Sequence, residues 1–344
     1  MKALRLVATT PSPELIEAVV AQPQPGPGEV LVHVTAAGII RTEPLWYPTT
    51  HLKSGAPREG AIPSHEFSGT VAALGEGVAD FTVGQPIYGT NDWYADGALA
   101  EYCVAHTAAI APAPITLSPV EAATVPISAL TAWQGLFDHG HLHPCDRVLI
   151  HGGGGSVGLF AVQIAHLHGA HVIATASPYY FDLLRQLGAN ELIDYHTKRF
   201  EDVIRRPVDI VFDTVGGDTL MRSLPFIKPG RFAVTITPDS ANSTNERIKK
   251  AFFLVQPNQR QLMEVAHFLD TGKLRTFVDA VVPLSQAADA YAGNVPNRKG
   301  RGKLVAAITE SWTPPPAIKA ALSPFQQSFR PGPERRPSTS ATKP

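Results

Sequence analysis

Four consecutive glycines, Gly152 to Gly155, stand between an apolar β-like segment, Arg147 to His151, and an apolar helical one, Val157 to Leu167. A strand that runs into a helix within so few residues needs a backbone free of Cβ atoms. Gly153, Gly155 and Gly158 fall in the spacing G-x-G-x-x-G, placed between strand and helix where that spacing has a physical use. The bare turn lets an anionic group approach closely, and the helix N-terminus offers it unpaired N–H groups and the positive end of its dipole. A Gly-rich turn in a ligand-free fold is the plainer alternative, and the pattern of the chain beyond the turn argues against it.

Strand-like and helix-like segments alternate after the turn. His171 to Ala176, Glu191 to Ile193, Val208 to Asp213, Arg231 to Ile236 and Phe252 to Val255 read as strands, which with Arg147 to His151 makes six. Helical stretches Phe181 to Leu187 and Asp218 to Leu224 lie between them, and Gln259 to Asp270 comes after. This is the pattern of an α/β, doubly wound parallel sheet. The chain before it differs: Glu29 to Ala37, Glu66 to Leu74 and Leu99 to Ala105 are short strands among Gly/Pro turns, a β-rich unit. Helical character starts at Ser118-Pro119-Val120-Glu121, an N-cap, a Pro at the first helical position and an acid in the first turn, and resumes at Ala129 to Asp138. β-like segments return at Ala280 to Pro283 and Lys303 to Ile308. The expected division is 1–118 and 278–310 in a β-rich domain, 119–277 in the dinucleotide-binding domain, and 311–344 as a disordered Pro-rich basic tail. That tail holds eight Pro and five basic residues against one acid.

Composition excludes several classes. Lys and Arg number 29 against 30 Asp and Glu, so bulk phosphate neutralisation of a nucleic acid is not expected. Two cysteines, Cys103 and Cys145, cannot form a disulfide framework or a four-thiolate zinc site, and they suit a reducing cytoplasm. No signal peptide and no apolar run long enough to span a membrane are visible.

The end of the second strand of the α/β unit bears on the choice of dinucleotide. An NAD site places Asp or Glu there for the ribose 2′-hydroxyl. Here the segment reads Thr175-Ala176-Ser177-Pro178, with no acid. Ser177 can hydrogen-bond a 2′-phosphate that a carboxylate would repel, so NADPH is the expected cofactor, held at Gly153, Gly155, Ser156, Val157, Gly158 and Ser177.

The segments PGPGEVLVHVTAAGI (25–39), IPSHEFSGTVAALGEGV (62–78), ISALTAWQGL (127–136), IHGGGGSVGLFAVQIA (150–165) and FDTVGGDTL (212–220) occur in an order that resembles the medium-chain dehydrogenase/reductase superfamily over residues 1–308. The resemblance is to its zinc-free, quinone oxidoreductase-like branch. It implies a GroES-like catalytic domain built from both chain ends around a central Rossmann domain. It implies that Thr131 contacts the nicotinamide carboxamide, that Tyr195 lies near the 2′-phosphate, that Val215 contacts the cofactor, and that Phe252-Phe253 covers it. It also implies a homodimer paired through Rossmann sheet edges.

The departures from the zinc enzymes carry the chemistry. Ser64-His65-Glu66-Phe67-Ser68-Gly69 is similar to the segment whose His binds catalytic zinc, but Ile40 follows Gly38-Ile39 where those enzymes place a Cys. The second thiolate is missing around Pro126 to Ala129, and a catalytic zinc needs three protein ligands. No metal site is expected, and His65 becomes a pocket or structural residue. Without a Lewis acid, alcohol oxidation loses its stabiliser for the alkoxide. Hydride addition to a quinone or α,β-unsaturated carbonyl needs less help. Zinc-free relatives often carry Asn at the position of Ile40, Asp at that of Glu43, and a Lys after the second strand where Tyr179 and Tyr180 stand. Arg185, Lys198 or the run Arg298 to Lys303 could compensate for that Lys, or the run could be a solvated loop.

Arg41 to Ile62 is too rich in Pro and Gly for a helix and, with Asn91 to Tyr94, brings aromatic rings suited to a flat acceptor. The expected pocket comprises Ile40, Trp46, Tyr47, His65 and Trp93. Glu43 and Tyr94 are the candidate proton donors, with water as the alternative. His139, His141 and His143 read as a loop rather than a metal site, and neither Cys has a partner implying nucleophilic catalysis. The expected activity is NADPH-dependent, zinc-independent reduction of a small electrophilic acceptor. A dedicated enoyl reductase and an idle NADPH-binding sensor or structural protein are the alternatives.

Overall fold

The computed structural model describes residues 1–8, 14–296 and 298–309; the tail read from 311–344 lies outside them. The chain opens with β1 (Lys2–Ala8) and β2 (Glu14–Val19), an antiparallel pair, followed by the long β3 (Glu29–Ile39). Then come β4 (Glu66–Leu74), β5 (Pro86–Thr90), β6 (Tyr102–His106) and β7 (Ile110–Pro112). The third predicted strand is displaced: Leu99 precedes β6, and Ala100 makes only an isolated bridge to Ala3. Between β3 and β4 the chain stays irregular apart from the single turns Glu43–Leu45 and Tyr47–Thr50.

Ser118 caps the turn Pro119–Ala122, its hydroxyl accepting from Glu121 N while the Glu121 carboxylate accepts from Ser118 N. Helix Pro126–Trp133 continues as a wide π-type turn through His139. The α/β unit comes next: β8 (Arg147–His151), β9 (His171–Ala176), β10 (Glu191–Asp194), β11 (Val208–Asp213) and β12 (Ile227–Thr235). All pair in parallel in the order β10-β9-β8-β11-β12. The sheet has five strands rather than the six expected. Phe252 makes one isolated bridge to Thr235, and Phe253 turns its ring into the core, so the apolar run at 252–255 reflects packing, not pairing.

β13 (Val278–Pro283) and β14 (Lys303–Ala307) then return to the first unit. β14 runs antiparallel to β3, with Leu304 opposite Ile39 and Ala307 opposite Ala36, giving a seven-stranded sheet drawn from both ends of the chain. This is a GroES-like sheet domain with a Rossmann-like parallel-sheet domain inserted in it, an α/β architecture.

Each unit has its own core. In the parallel-sheet unit, helix Ser156–Leu167 buries Leu159, Phe160, Val162 and Ile164 against the sheet and against helix Pro126–Trp133. Each such side chain contributes roughly 1.5–3 kcal/mol on burial, which fixes the end of the helix that meets the Gly-rich turn. No helix among the described residues is long and apolar enough to cross a membrane.

Candidate active site

The turn after β8 is shaped by contacts that exclude side chains. Gly152 has φ +78, and a Cβ on Gly158 would lie 2.1 Å from the Gly152 carbonyl oxygen, so helix and strand meet only because both residues are glycine. Gly155 is the helix N-cap and has no side chain to cap it; the first intrahelical bond is Leu159 N to Gly155 O, 2.9 Å. The N–H groups of Ser156, Val157 and Gly158 are left without intrahelical partners. A small-residue turn with unpaired donors at the start of a twelve-residue helix fits a pyrophosphate.

Beside it opens a cleft of about 600 Å³ at the C-terminal ends of the parallel strands. The sheet order reverses between β8 and β11, which is where doubly wound sheets bind ligands. His151, Gly152 and Thr175 form one part of its wall, and Tyr195, Lys198, Val215 and Arg222 another. Arg199 lines it too, and no carboxylate does. Arg199 and Arg222 share Glu201 at 3.4 and 3.2 Å, whereas Lys198 has no ion-pair partner among the described residues.

His151 holds this wall from below. Ser223 Oγ donates to Thr219 O, so it accepts from His151 Nε2–H at 2.9 Å, which leaves Nδ1 to accept from Thr175 Oγ1 at 3.2 Å. Thr175 Oγ1 in turn accepts from Gly152 N, and Thr175 O accepts from Gly153 N. The imidazole is thus a neutral spacer between the Gly-rich turn and the helix Asp218–Ser223. Burial lowers its pKa to about 3, and the Arg222 charge pushes the same way.

The GroES-like domain presents a second constellation. Glu43 and His65 are fully buried, with Glu43 Oε1 2.6 Å from His65 Nδ1 and His65 Nε2 3.0 Å from the Ala95 carbonyl oxygen. Since Nε2 faces only an acceptor, it carries a proton, and His65 ties the loop bearing Trp93 and Tyr94 to Glu43. Glu43 Oε2 has no hydrogen-bond partner, and the residue is fully buried. Trp93 lies 5.8 Å from the His65 ring and 6.2 Å from Trp46, the latter nearly edge to face. Tyr94 is half-buried with the Lys53 ammonium 5.5 Å from its ring, Ile40 is half-buried, and Tyr47 stacks on His51 at 4.3 Å on the exposed side.

Behind His65, Glu66 forms a buried ion pair with Lys303 of β14 and accepts from Ile127 N at the start of helix Pro126–Trp133. Burial raises the Glu66 pKa against the pull of Lys303. That helix carries Thr131, itself buried, whose hydroxyl donates to Ile127 O at 2.6 Å and so retains only acceptor capacity.

Zinc does not fit the donors here. His65 has both ring nitrogens engaged, Glu66 is committed to Lys303 and Ile127, and Ile40 stands where a thiolate is needed. Cys103 is buried on β6, its thiol pushed up to about 12 by burial, and Cys145 is exposed in a turn before β8. Among the described residues no group of three or more His, Cys, Asp or Glu could hold a metal ion.

The remaining expected contacts divide. Tyr195 and Val215 line the cleft with Gly152. Ser177 directly follows β9 and is half-exposed at the start of the turn Pro178–Tyr180. Phe253 is buried and its ring stacks on His139 at 4.4 Å, with Phe252 half-buried next to it. His141 packs against Phe232, and His143 is exposed 3.8 Å from Asp146. Sequence reasoning missed His151 as the support of the turn, although it adjoins the glycines. Lys303, read as part of a run that could serve the phosphate or lie in a solvated loop, is instead buried against Glu66, a partner remote in the chain.

A parallel sheet opening at its switch point onto a Gly-rich turn, joined to a GroES-like domain, defines a dinucleotide-dependent dehydrogenase or reductase. Residues 26–115 match the family described as "Alcohol dehydrogenase GroES-like domain" and residues 187–305 that described as "Zinc-binding dehydrogenase". A probable zinc-binding oxidoreductase, mitochondrial, of Arthroderma benhamiae is 30% identical over 306 residues, covering 83% of this chain and 91% of its own. The trans-enoyl reductase pgmF of Aspergillus terreus is 30% identical over 318 residues, covering 83% and 88%. The quinone oxidoreductase from Coxiella burnetii has a TM-score of 0.78 at 29% identity, covering 90% of this chain and 99% of its own. The chain belongs to the medium-chain dehydrogenase/reductase family and is an oxidoreductase of its quinone oxidoreductase-like group, with a nicotinamide cofactor.

Proposed function

We propose that the protein takes NADPH and reduces a flat, conjugated acceptor, a quinone or an α,β-unsaturated carbonyl, without a metal. The observation that carries the cofactor reading is the cleft at the strand ends, lined by no carboxylate and by Lys198, which has no ion-pair partner among the described residues, beside Arg199 and Arg222, which share Glu201. With Ser177 in place of an acid at the end of β9, this wall attracts a 2′-phosphate that an acidic site would repel.

When bound, the reduced nicotinamide supplies the hydride. The unpaired N–H groups at Ser156 to Gly158 hold the pyrophosphate, and Tyr195 and Val215 flank the adenosine end. Thr131, with acceptor capacity only, takes a hydrogen bond from the carboxamide NH₂. Trp46 and Trp93 supply an aromatic wall for the acceptor beside Ile40 and His65. Glu43 and His65 position that wall through the Ala95 carbonyl. Protonation of the acceptor falls to Tyr94 or to water, and Tyr94→Phe separates the two: loss of kcat with unchanged cofactor affinity assigns it to Tyr94. The two free thiols suit a reducing cytoplasm, and the edge strand β12 is where a homodimer would pair.

Steady-state oxidation of NADPH and NADH against a panel of quinones and enals tests the reading. Turnover of several such acceptors with NADPH preferred supports it; turnover confined to one conjugated thioester class points instead to a dedicated enoyl reductase. Tight NADPH binding with no turnover on any acceptor refutes catalysis and leaves a nucleotide-binding protein. Stoichiometric zinc, or activity lost to a chelator, refutes the metal-free chemistry.

A further inference from the structure

Ser177 is followed by a single turn, Pro178–Tyr180, and no basic residue of that turn stands ready for a phosphate. The charge arrives from elsewhere in the fold. Residues 298–302, in the return toward β14, cross over this turn. The Tyr179 hydroxyl donates to Lys299 O, the Tyr180 hydroxyl donates to Gly300 O, and Ser156 Oγ donates to Gly302 O at 3.1 Å. Tyr180 also lies against the Gly-rich turn, where a Cβ on Gly154 would be 2.7 Å from its ring.

The strap is anchored at its root by Asp279, which takes Arg298 Nε at 2.7 Å and Gly300 N at 2.6 Å and so neutralises Arg298. Arg301 has no such partner. Its guanidinium lies 4.6 Å from the centre of the Tyr179 ring, donates from Nη2 to the Tyr179 carbonyl at 3.2 Å, and has no carboxylate among the described residues. Its Nε is buried without any acceptor. A half-buried guanidinium with an unmet donor is costly unless an anion completes it.

We infer that Arg301, delivered by the GroES-like domain and held on the face of Tyr179, is the residue that reads the 2′-phosphate of the cofactor beside Ser177. The inference rests on the NADPH reading above. It gives the tyrosine pair a reason: Tyr179 is the platform that stacks and orients the guanidinium, and the strap closes the cofactor site from the opposite domain.

Direct binding tests it, by nicotinamide fluorescence for NADPH and NADH and by competition with adenosine 2′,5′-bisphosphate and 5′-AMP. Arg301→Gln should weaken NADPH and the bisphosphate by about tenfold or more, the size of a lost charge-assisted hydrogen bond. NADH and 5′-AMP should stay within about twofold, which also shows that the variant is folded. Arg301→Lys, which keeps the charge and loses the fork, should fall between. An unchanged NADPH preference in Arg301→Gln overturns the inference and leaves the cofactor reading standing, as does a preference abolished by Lys198→Gln alone. Equal weakening of NADPH and NADH overturns it as well. A wild-type protein that binds NADPH no more tightly than NADH overturns both.

Discussion

His151 makes the stability of the parallel-sheet domain depend on pH in a calculable way. It is 1% exposed, neutral, and hydrogen-bonded through both ring nitrogens. Its folded pKa of about 3 lies below the ordinary 6.5 that the unfolded chain would show. Above pH 6.5 neither state binds the proton and the residue is neutral in its effect. As pH falls below 6.5 the unfolded chain takes up a proton that the folded one refuses, so stability declines down to about pH 3, where the folded imidazole protonates too. The slope approaches about 1.4 kcal/mol per pH unit, and between neutrality and pH 5 the loss amounts to about 2 kcal/mol. His151→Gln keeps an acceptor and a donor in the site and cannot be protonated. Urea unfolding of both proteins at pH 7.5, 6, 5.5 and 5 isolates the residue, because the other titrating groups cancel in the difference. The wild type should lose about 2 kcal/mol more than the variant over this range. Parallel curves for the two proteins refute the neutral, buried imidazole and with it the proton arrangement beneath Gly152.

Ser177→Asp should shift the ratio of NADPH to NADH affinities toward NADH by about tenfold or more, read by titration; an unchanged ratio removes Ser177 from the 2′-phosphate site. Gly158→Ala places a methyl 2.1 Å from the Gly152 oxygen, so dinucleotide affinity should fall at least tenfold and the thermal midpoint should drop, whereas wild-type behaviour in both measurements sinks the close-approach account. Lys303→Met leaves Glu66 buried and unpaired and should cost about 3–5 kcal/mol in urea unfolding. Adding Glu66→Gln, which still accepts from Ile127 N, should restore most of that loss. A single variant as stable as wild type refutes the pair's role.

Features of the site written in neighbouring residues were legible from the sequence. The glycine spacing, the Ser118 cap and the helix Gln259–Asp270 are set within a turn or two of chain, where local sterics and periodicity decide the outcome. The absence of an acid at Ser177 is equally local. Features that depend on distant partners were not legible. An apolar run at 252–255 has the composition of a strand, but the sheet ends at β12 and Phe253 finds more contact in the core with His139. Leu99 looks like part of a strand until β6 begins three residues later. Glu43 has the chemistry of a proton donor, and its full burial against His65 depends on packing that the sequence does not show. The Glu66–Lys303 pair and the seat of Arg301 on Tyr179 join residues that no spacing rule connects.

The return of β14 to β3 also sets the order in which the nascent chain can be completed. The parallel-sheet domain is one continuous stretch and can fold as soon as β12 and helix Gln259–Asp270 have left the ribosome. The GroES-like sheet cannot: Ala36 to Ile39 of β3 must wait for Leu304 to Ala307. At ordinary elongation speed, synthesis from Ile39 to Lys303 takes roughly 15–50 s. Throughout that interval the end of β3 bearing Gly38 and Ile39 has one edge open, next to the buried Glu43–His65 pair. Truncation after helix Gln259–Asp270 but before β14 therefore yields a folded nucleotide-binding core attached to a sheet with an unpaired, apolar edge, a species destined for chaperones or aggregates.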